Sequence, residues 1–325
     1  MIQDVWGKLR TLNDQGVLDA LVALGGNVYY VSPQGSDSGS GSITNPYLTL
    51  EAAYARLRSG KNDAVVISQD WIDGLIDAAA SCTIRLNAAF VWAKPAAHLI
   101  GLNPSFTPAV FSPRARLAPT ASTTAFANFF TATGTGCMFR GVQWFHDFST
   151  DTTAQIAVTV KGARNVFQHC HIAGNANDDA AARSLLLTSP ASGNAGENFF
   201  DECTIGQDTI TRAQASAILG LTGTQVPRNY FRNCRFVSWA TAASALMVSA
   251  GASAIDRFVY FENCKFINFG TALTSLMSIN ATQNGKVLME NPVRFNCGNF
   301  GDTTNTLISG PITVNTSGLG TVPAA

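Results

Sequence analysis

One phrase recurs along this chain and limits what it can become. Cys170, Cys203, Cys234 and Cys264 stand 33, 31 and 30 residues apart, in the contexts NVFQHCHI, NFFDECTI, NYFRNCRF and FVYFENCKF. The shared element is Phe-x-x-Cys-x-(Ile or Phe), carried by Phe167, Phe200, Phe231 and Phe261. Weaker copies flank it, with Val142 in the cysteine slot upstream and Met289 and Pro292 in register downstream. Between copies, after a stretch of small and polar residues, comes a second apolar run: AQIAVTV, SLLLT, AILGLT, ALMVS, SLMSI and TLISG. Two short β-prone runs in each period of ~30 residues describe a solenoid. The runs are too short for the i, i+3, i+4 periodicity of helical repeats. Each period is therefore expected to form one coil of a parallel β-helix.

The phrase also contains its own corner. Phe and Cys, three apart, would face opposite sides of a straight strand, so a bend between them is needed to turn both inward. The residue before the cysteine slot reads Gly141, His169, Glu202, Asn233, Asn263 and Asn291. Gly and Asn tolerate the left-handed backbone that a sharp corner demands. The cysteines are then small buried hydrophobes stacked along the axis, with no redox role and no metal.

Composition narrows the function. The 325 residues carry 21 basic and 21 acidic side chains, and only 13% are charged, against roughly 25% in an ordinary soluble protein. A zero balance argues against nucleic acid as a partner. No apolar run approaches the ~20 residues of a membrane span. Asp4 and Asp19 break the pattern of a secretory leader, so synthesis in a cytoplasm is expected. Seven widely spaced cysteines form neither a disulfide framework nor a zinc pattern. So little charge leaves part of the surface to be covered by a partner, and a homo-oligomer is the expected form.

Ahead of the coils lies YYVSPQGSDSGSGSITNPYLTLEAAYARL (29–57). A strand at Tyr29–Val31 enters a Gly/Ser/Asp loop. A helix then starts after Thr49, its N-cap, with Leu50, Ala53, Tyr54 and Leu57 on one face. This layout resembles the N-terminal segment of pectate-lyase-like right-handed parallel β-helices. Further segments, PAAHLIGLNPSFTPAVFSPRARLAP (95–119), GCMFRGVQWFH (136–146) and AIDRFVYFENCKFINF (254–269), resemble capsid-associated virion proteins of tailed bacteriophages with that fold. The resemblance implies a right-handed single-stranded parallel β-helix with a short N-terminal helical cap. It also implies a homotrimer on the virion capsid surface, with the major capsid protein as partner. The expected organisation is an amphipathic helical segment at 1–27, coils over 28–314 and an extended tail at 315–325. Val5, Trp6 and Leu9 form an apolar stripe in the first of these, which serves either as an end cap or as an anchor.

Chemistry is harder to find. The SLLLT, AILGLT, ALMVS and SLMSI runs contain no ionisable residue, so their outward stack is expected to be apolar. Leu186, Leu219, Met247 and Met277 are the expected interface with sister subunits. The row after each repeat phenylalanine reads Arg140, Gln168, Asp201, Arg232, Glu262 and Glu290. It admits two readings: an acid/base pair of Asp201 and Glu262 around Arg232, or an exposed ladder of alternating charge that fixes coil register. The second is preferred. His146, His169 and His171 are expected at the surface, the acidic loop NANDD (175–179) in solvent, and Trp71, Trp92, Trp144, Phe145 and Trp239 packing loops rather than stacking sugars. These expectations add up to a capsid decoration or cement protein that is not an enzyme and carries no cofactor. The alternative is a tailspike-type protein that binds or depolymerises cell-surface polysaccharide.

Overall fold

Every corner that the sequence places between Phe and Cys is left-handed: φ is 66° at Gly141, 52° at His169 and Glu202, 53° at Asn233, 52° at Asn263 and 46° at Asn291. The structure, a computed structural model, describes residues 14–68, 83–102, 115–120, 126–146, 155–174, 179–213, 216–283 and 286–300. Of the chain beyond, it describes only the backbone strands at 306–309, 313–314 and 320–321. The chain is all-β, a right-handed parallel β-helix whose coils stack into three long sheets. The first sheet has ten strands, from Val28–Val31 to Thr306–Ser309, and includes the repeat phenylalanines. Across the corner, eight strands from Ile84–Leu86 to Val293–Phe295 make the second sheet. Seven strands from Phe90–Trp92 to Met277–Ile279 make the third.

Like stacks on like through the interior. Phe139, Phe167, Phe200, Phe231 and Phe261 lie in register, their rings near-parallel at centroid distances of 4.7, 4.6, 4.6 and 5.0 Å. Beside them the cysteines are buried, and each thiol donates to the carbonyl of the phenylalanine one coil earlier. Cys170 reaches Phe139 at 3.3 Å, and Cys203, Cys234 and Cys264 reach Phe167, Phe200 and Phe231 at 3.4 Å. Burial pushes the Cys203 and Cys264 thiols up.

A second row of left-handed residues, Arg164, Glu197 and Arg228, precedes the first-sheet strands. Inside it stands a ladder of buried asparagines. Asn198 Oδ1 accepts from the backbone of Asn165 at 3.0 Å, and Asn229 Oδ1 from that of Asn198 at 3.1 Å. Peptide groups that the turn would leave unpaired in the interior are thus satisfied by side chains.

Two helices pack against the N-terminal coils. Helix α1 (Asp14–Ala23) lays Val17, Leu18 and Leu21 on Ala64, Val66, Ile100 and Met138, the outward residues of the first coils. It therefore covers a side of the solenoid rather than its open end. Helix α2 (Leu50–Arg56) is the end cap: Thr49 Oγ1 accepts from Ala52 N at 3.2 Å, and Leu50, Ala53 and Leu57 join the main core. Val5, Trp6 and Leu9 lie outside the described residues.

The expected apolar interface needs correcting. Leu219 and Met277 belong to the inward row Val158–Leu185–Leu219–Val248–Met277, and Met247 beside them is fully buried. The outward row is Thr131, Thr159, Leu186, Gly220, Ser249 and Ser278. Leu186 alone of the four expected residues looks outward, half-buried among small and hydroxylated neighbours.

Candidate functional site

Chemically rich side chains converge on the outer face of the first sheet. The register places Arg140, Gln168, Asp201, Arg232, Glu262 and Glu290 side by side on successive strands, as the sequence row predicts. The row is not the exposed ladder expected of it. Arg140, Gln168 and Asp201 are buried. Arg140 donates to Gln168 Oε1, and Gln168 Nε2 donates to Asp201 Oδ2 at 3.4 Å. Arg232 meets Asp201 Oδ1 through Nε at 2.9 Å and Nη2 at 2.7 Å, with side chains only 14% and 3% exposed. Such a desolvated pair is held far more firmly than a surface one. It is a fixed base on which Arg232 is oriented, and Asp201 is too enclosed to meet a polymer.

Glu262 and Glu290 are the more accessible carboxylates of the row, and both are half-buried. Each is held by a phenol: Tyr230 donates its hydroxyl to Glu262 Oε2, and Tyr260 to Glu290 Oε2. Burial first, then the Glu262 carboxylate, drives the Tyr230 phenol well above its ordinary value. The bond to Glu290, with burial behind it, pushes Tyr260 up to about 12. Both phenols therefore stay protonated, as donors, throughout the physiological range.

The same tyrosines belong to a second outward row that the sequence analysis missed, Phe199–Tyr230–Tyr260. Their centroids are 5.3 and 4.8 Å apart, and the Arg232 guanidinium lies 4.9 Å over the Phe199 ring. The signal was available: an aromatic directly precedes the repeat phenylalanine in three consecutive copies. Together the rows make a half-buried strip with ring faces on one side, two carboxylates on the other and a guanidinium at its end. Such a strip offers apolar faces to sugar rings and groups for proton transfer at one place.

Other sequence candidates stand elsewhere. His146 and His171 are buried rather than at the surface: His146 Nε2 is 2.9 Å from the Phe126 carbonyl, and His171 bridges Gln143 at 2.9 Å and the Gly206 carbonyl at 3.0 Å. His169 pairs with Glu202 at 3.1 Å on the exposed corner. Among the described residues, no three His, Cys, Asp or Glu side chains are grouped to hold a metal ion. Asp179 accepts from the Ala181 amide at 2.6 Å, while the rest of the acidic loop and Trp71 lie outside the described residues. Trp92 and Trp144 fill the core, Phe145 lies under Arg116, and Trp239 is 40% exposed. The alternating charge ladder exists, but at the other corner, where Glu197 Oε2 meets Arg164 at 2.7 Å and Oε1 meets Arg228. Those guanidiniums hold the Glu197 carboxyl below its usual range.

No protein-family model matches the chain, and no curated protein matches it either. Several solved structures share its architecture. The pectin methylesterase PemA from Erwinia chrysanthemi superposes with a TM-score of 0.54 at 15% identity, covering 84% of this chain and 80% of that one. The pectate lyase Pel9A gives 0.52 at 16%, covering 89% and 78%. The pectin methylesterase from Aspergillus niger gives 0.51 at 13%, covering 87% and 83%. At such identities the likeness establishes the fold alone, a parallel β-helix. The expectation that the chain is not an enzyme finds no support there: the three proteins, which share this architecture over more than three quarters of their length, are enzymes named for pectin and pectate. None of these three is a virion protein, and the capsid-decoration expectation gains nothing from them.

Proposed function

We propose that this chain acts on polysaccharide, binding and depolymerising a cell-surface polymer in the manner of a tailspike-type protein. One observation carries the reading: Glu262 and Glu290 stand on adjacent strands beside the rings of Tyr230 and Tyr260. One ladder step is about 4.8 Å, close to the roughly 5–5.5 Å that separates the carboxyl groups of retaining glycosidases. In such a reaction one carboxyl protonates the leaving glycosidic oxygen while the other attacks the anomeric carbon. Water, deprotonated by the first carboxylate, then releases the sugar and restores both groups. The phenols of Tyr230 and Tyr260 orient the two carboxylates, and Arg232, anchored on Asp201, favours negative charge at the end of the strip.

The test is release of reducing ends from bacterial capsular polysaccharides. Glu262→Gln and Glu290→Gln should each lower turnover by roughly a hundredfold or more while the coils stay folded by circular dichroism. Asp201→Asn should act indirectly, through a loosened Arg232. Full turnover in both glutamine variants would remove the carboxylate pair from the reaction.

A further inference from the structure

A second face, around the corner from the carboxylates, has properties that catalysis at Glu262 and Glu290 leaves unexplained. It is the outer surface of the second sheet over its last three strands, Arg235–Ser238, Lys265–Asn268 and Val293–Phe295. Earlier coils fill the same face with buried polar groups such as Gln143, His171 and Thr204. Here the side chains are large, apolar and uncovered: Trp239 is 40% exposed, Phe269 54% and Phe295 58%. Ser238 pairs with Asn268 and Ile267 with Phe295, which brings the three rings onto neighbouring coils, with Phe269 and Phe295 6.3 Å apart.

The rings stand on a rigid base. Arg212, fully buried, donates its backbone NH to the Trp239 carbonyl at 2.9 Å and its Nε to Ser238 Oγ at 2.8 Å. Its Nη1 and Nη2 reach the carbonyls of Ser216 at 2.6 Å and Leu246 at 2.9 Å. Asn268, also buried, accepts from Ala240 N at 2.9 Å and donates to Thr271 O at 2.6 Å. Two buried polar networks thus fix the turns that carry Trp239 and Phe269, and rings held ready in this way lose little freedom on binding.

Charge decides the occupant. Arg235 and Lys265 are neighbours on the outward row alongside these rings, and none of the three strands carries an acidic residue. Asp208, one coil earlier, marks the face's limit. A second copy docked through this face about a twofold axis would bring Lys265 of each copy together across strands that carry no acidic residue. A polymer with apolar ring faces and regularly spaced carboxylates meets both features at once.

We infer that this face is an accessory docking site for an acidic polysaccharide, in which sugar rings stack on Trp239, Phe269 and Phe295 while uronate carboxylates pair with Lys265. The inference rests on the polysaccharide reading of the chain but not on the carboxylate pair. It is tested by affinity electrophoresis of the full chain in gels containing hyaluronan, alginate or neutral dextran. Wild type should be retarded by hyaluronan or alginate and not by dextran, and added salt should weaken the retardation. Trp239→Ser, Phe269→Ser and Lys265→Glu should each weaken it roughly tenfold, with turnover of short soluble oligosaccharides unchanged. Glu262→Gln should bind as wild type does, so that loss of catalysis and loss of docking are read separately. Equal retardation of all variants would overturn the inference, as would no retardation of wild type in either acidic gel. It would also fall if wild type sedimented as an oligomer and Phe269→Ser as a monomer, because the face would then join copies of the chain.

Discussion

Single residues in this solenoid are held in one protonation state by the ladder around them, and His98 is the sharpest case. It is buried, its Nδ1 accepts the backbone NH of Met138 at 3.0 Å, and burial lowers its pKa to about 4, with the nearby Asp63 opposing the shift. Protonation of Nδ1 would turn an acceptor against a donor. A folded value below the unfolded one of about 6.5 means that the neutral ring's contribution is complete above pH 6.5. It is lost as pH falls from there towards 4. The shift corresponds to about 3 kcal/mol over that window. Urea unfolding at pH 7 and pH 4 should show wild type losing about that much more stability than His98→Asn, whose amide accepts without titrating. Equal losses in the two proteins would mean that the imidazole is not forced to stay neutral.

At the scale of the element, the corner between first and second sheets is the unit that repeats, and its backbone dictates its residues. Asn233 and Asn263 take φ of 53° and 52° at little cost, whereas His169 and Glu202 hold the same conformation with side chains that disfavour it. Asn233→Val should destabilise the protein by about 1–2 kcal/mol or more, because a β-branched residue is a true outlier there. Glu202→Asn should be neutral or slightly stabilising despite the lost contact to His169, since that pair is exposed. Thermal melts of the two variants moving in the same direction by equal amounts would refute the corner argument. This corner was legible in the sequence because Gly or Asn fills the slot in four of its six copies, at Gly141, Asn233, Asn263 and Asn291. The third sheet was not legible in the same way. Runs such as Leu185–Leu186–Leu187 and Leu246–Met247–Val248 are apolar at every position, so the two-residue period that tells inside from outside is silent. The inward methionines were therefore assigned to the surface. In the first sheet the row Asp201–Arg232–Glu262 could be placed in register from spacing alone. That Asp201 is sunk beneath Arg232 while Glu262 is not depends on neighbours that the period does not encode.

For the molecule as a whole, coils rest only on their neighbours, so stability is transmitted along the stack. Damage to the shared core in a middle coil therefore differs in kind from damage to its surface. Met247 and Met277 lie on consecutive coils inside the third sheet, while Ser278, next to Met277, faces solvent. Burying an unpaired carboxylate at Met247 costs several kcal/mol, a large part of the ~5–15 kcal/mol that holds a domain folded. Met247→Glu should abolish the cooperative transition or leave the protein insoluble, with new proteolytic cuts near that coil. Ser278→Glu should melt and sediment like wild type. Had the methionines formed an outward stripe between subunits, Met247→Glu would instead give a well-folded protein of smaller assembly size. Sedimentation and melting of these two variants separate the possibilities, and a folded, dissociated Met247→Glu protein would overturn the inward register on which the third sheet depends.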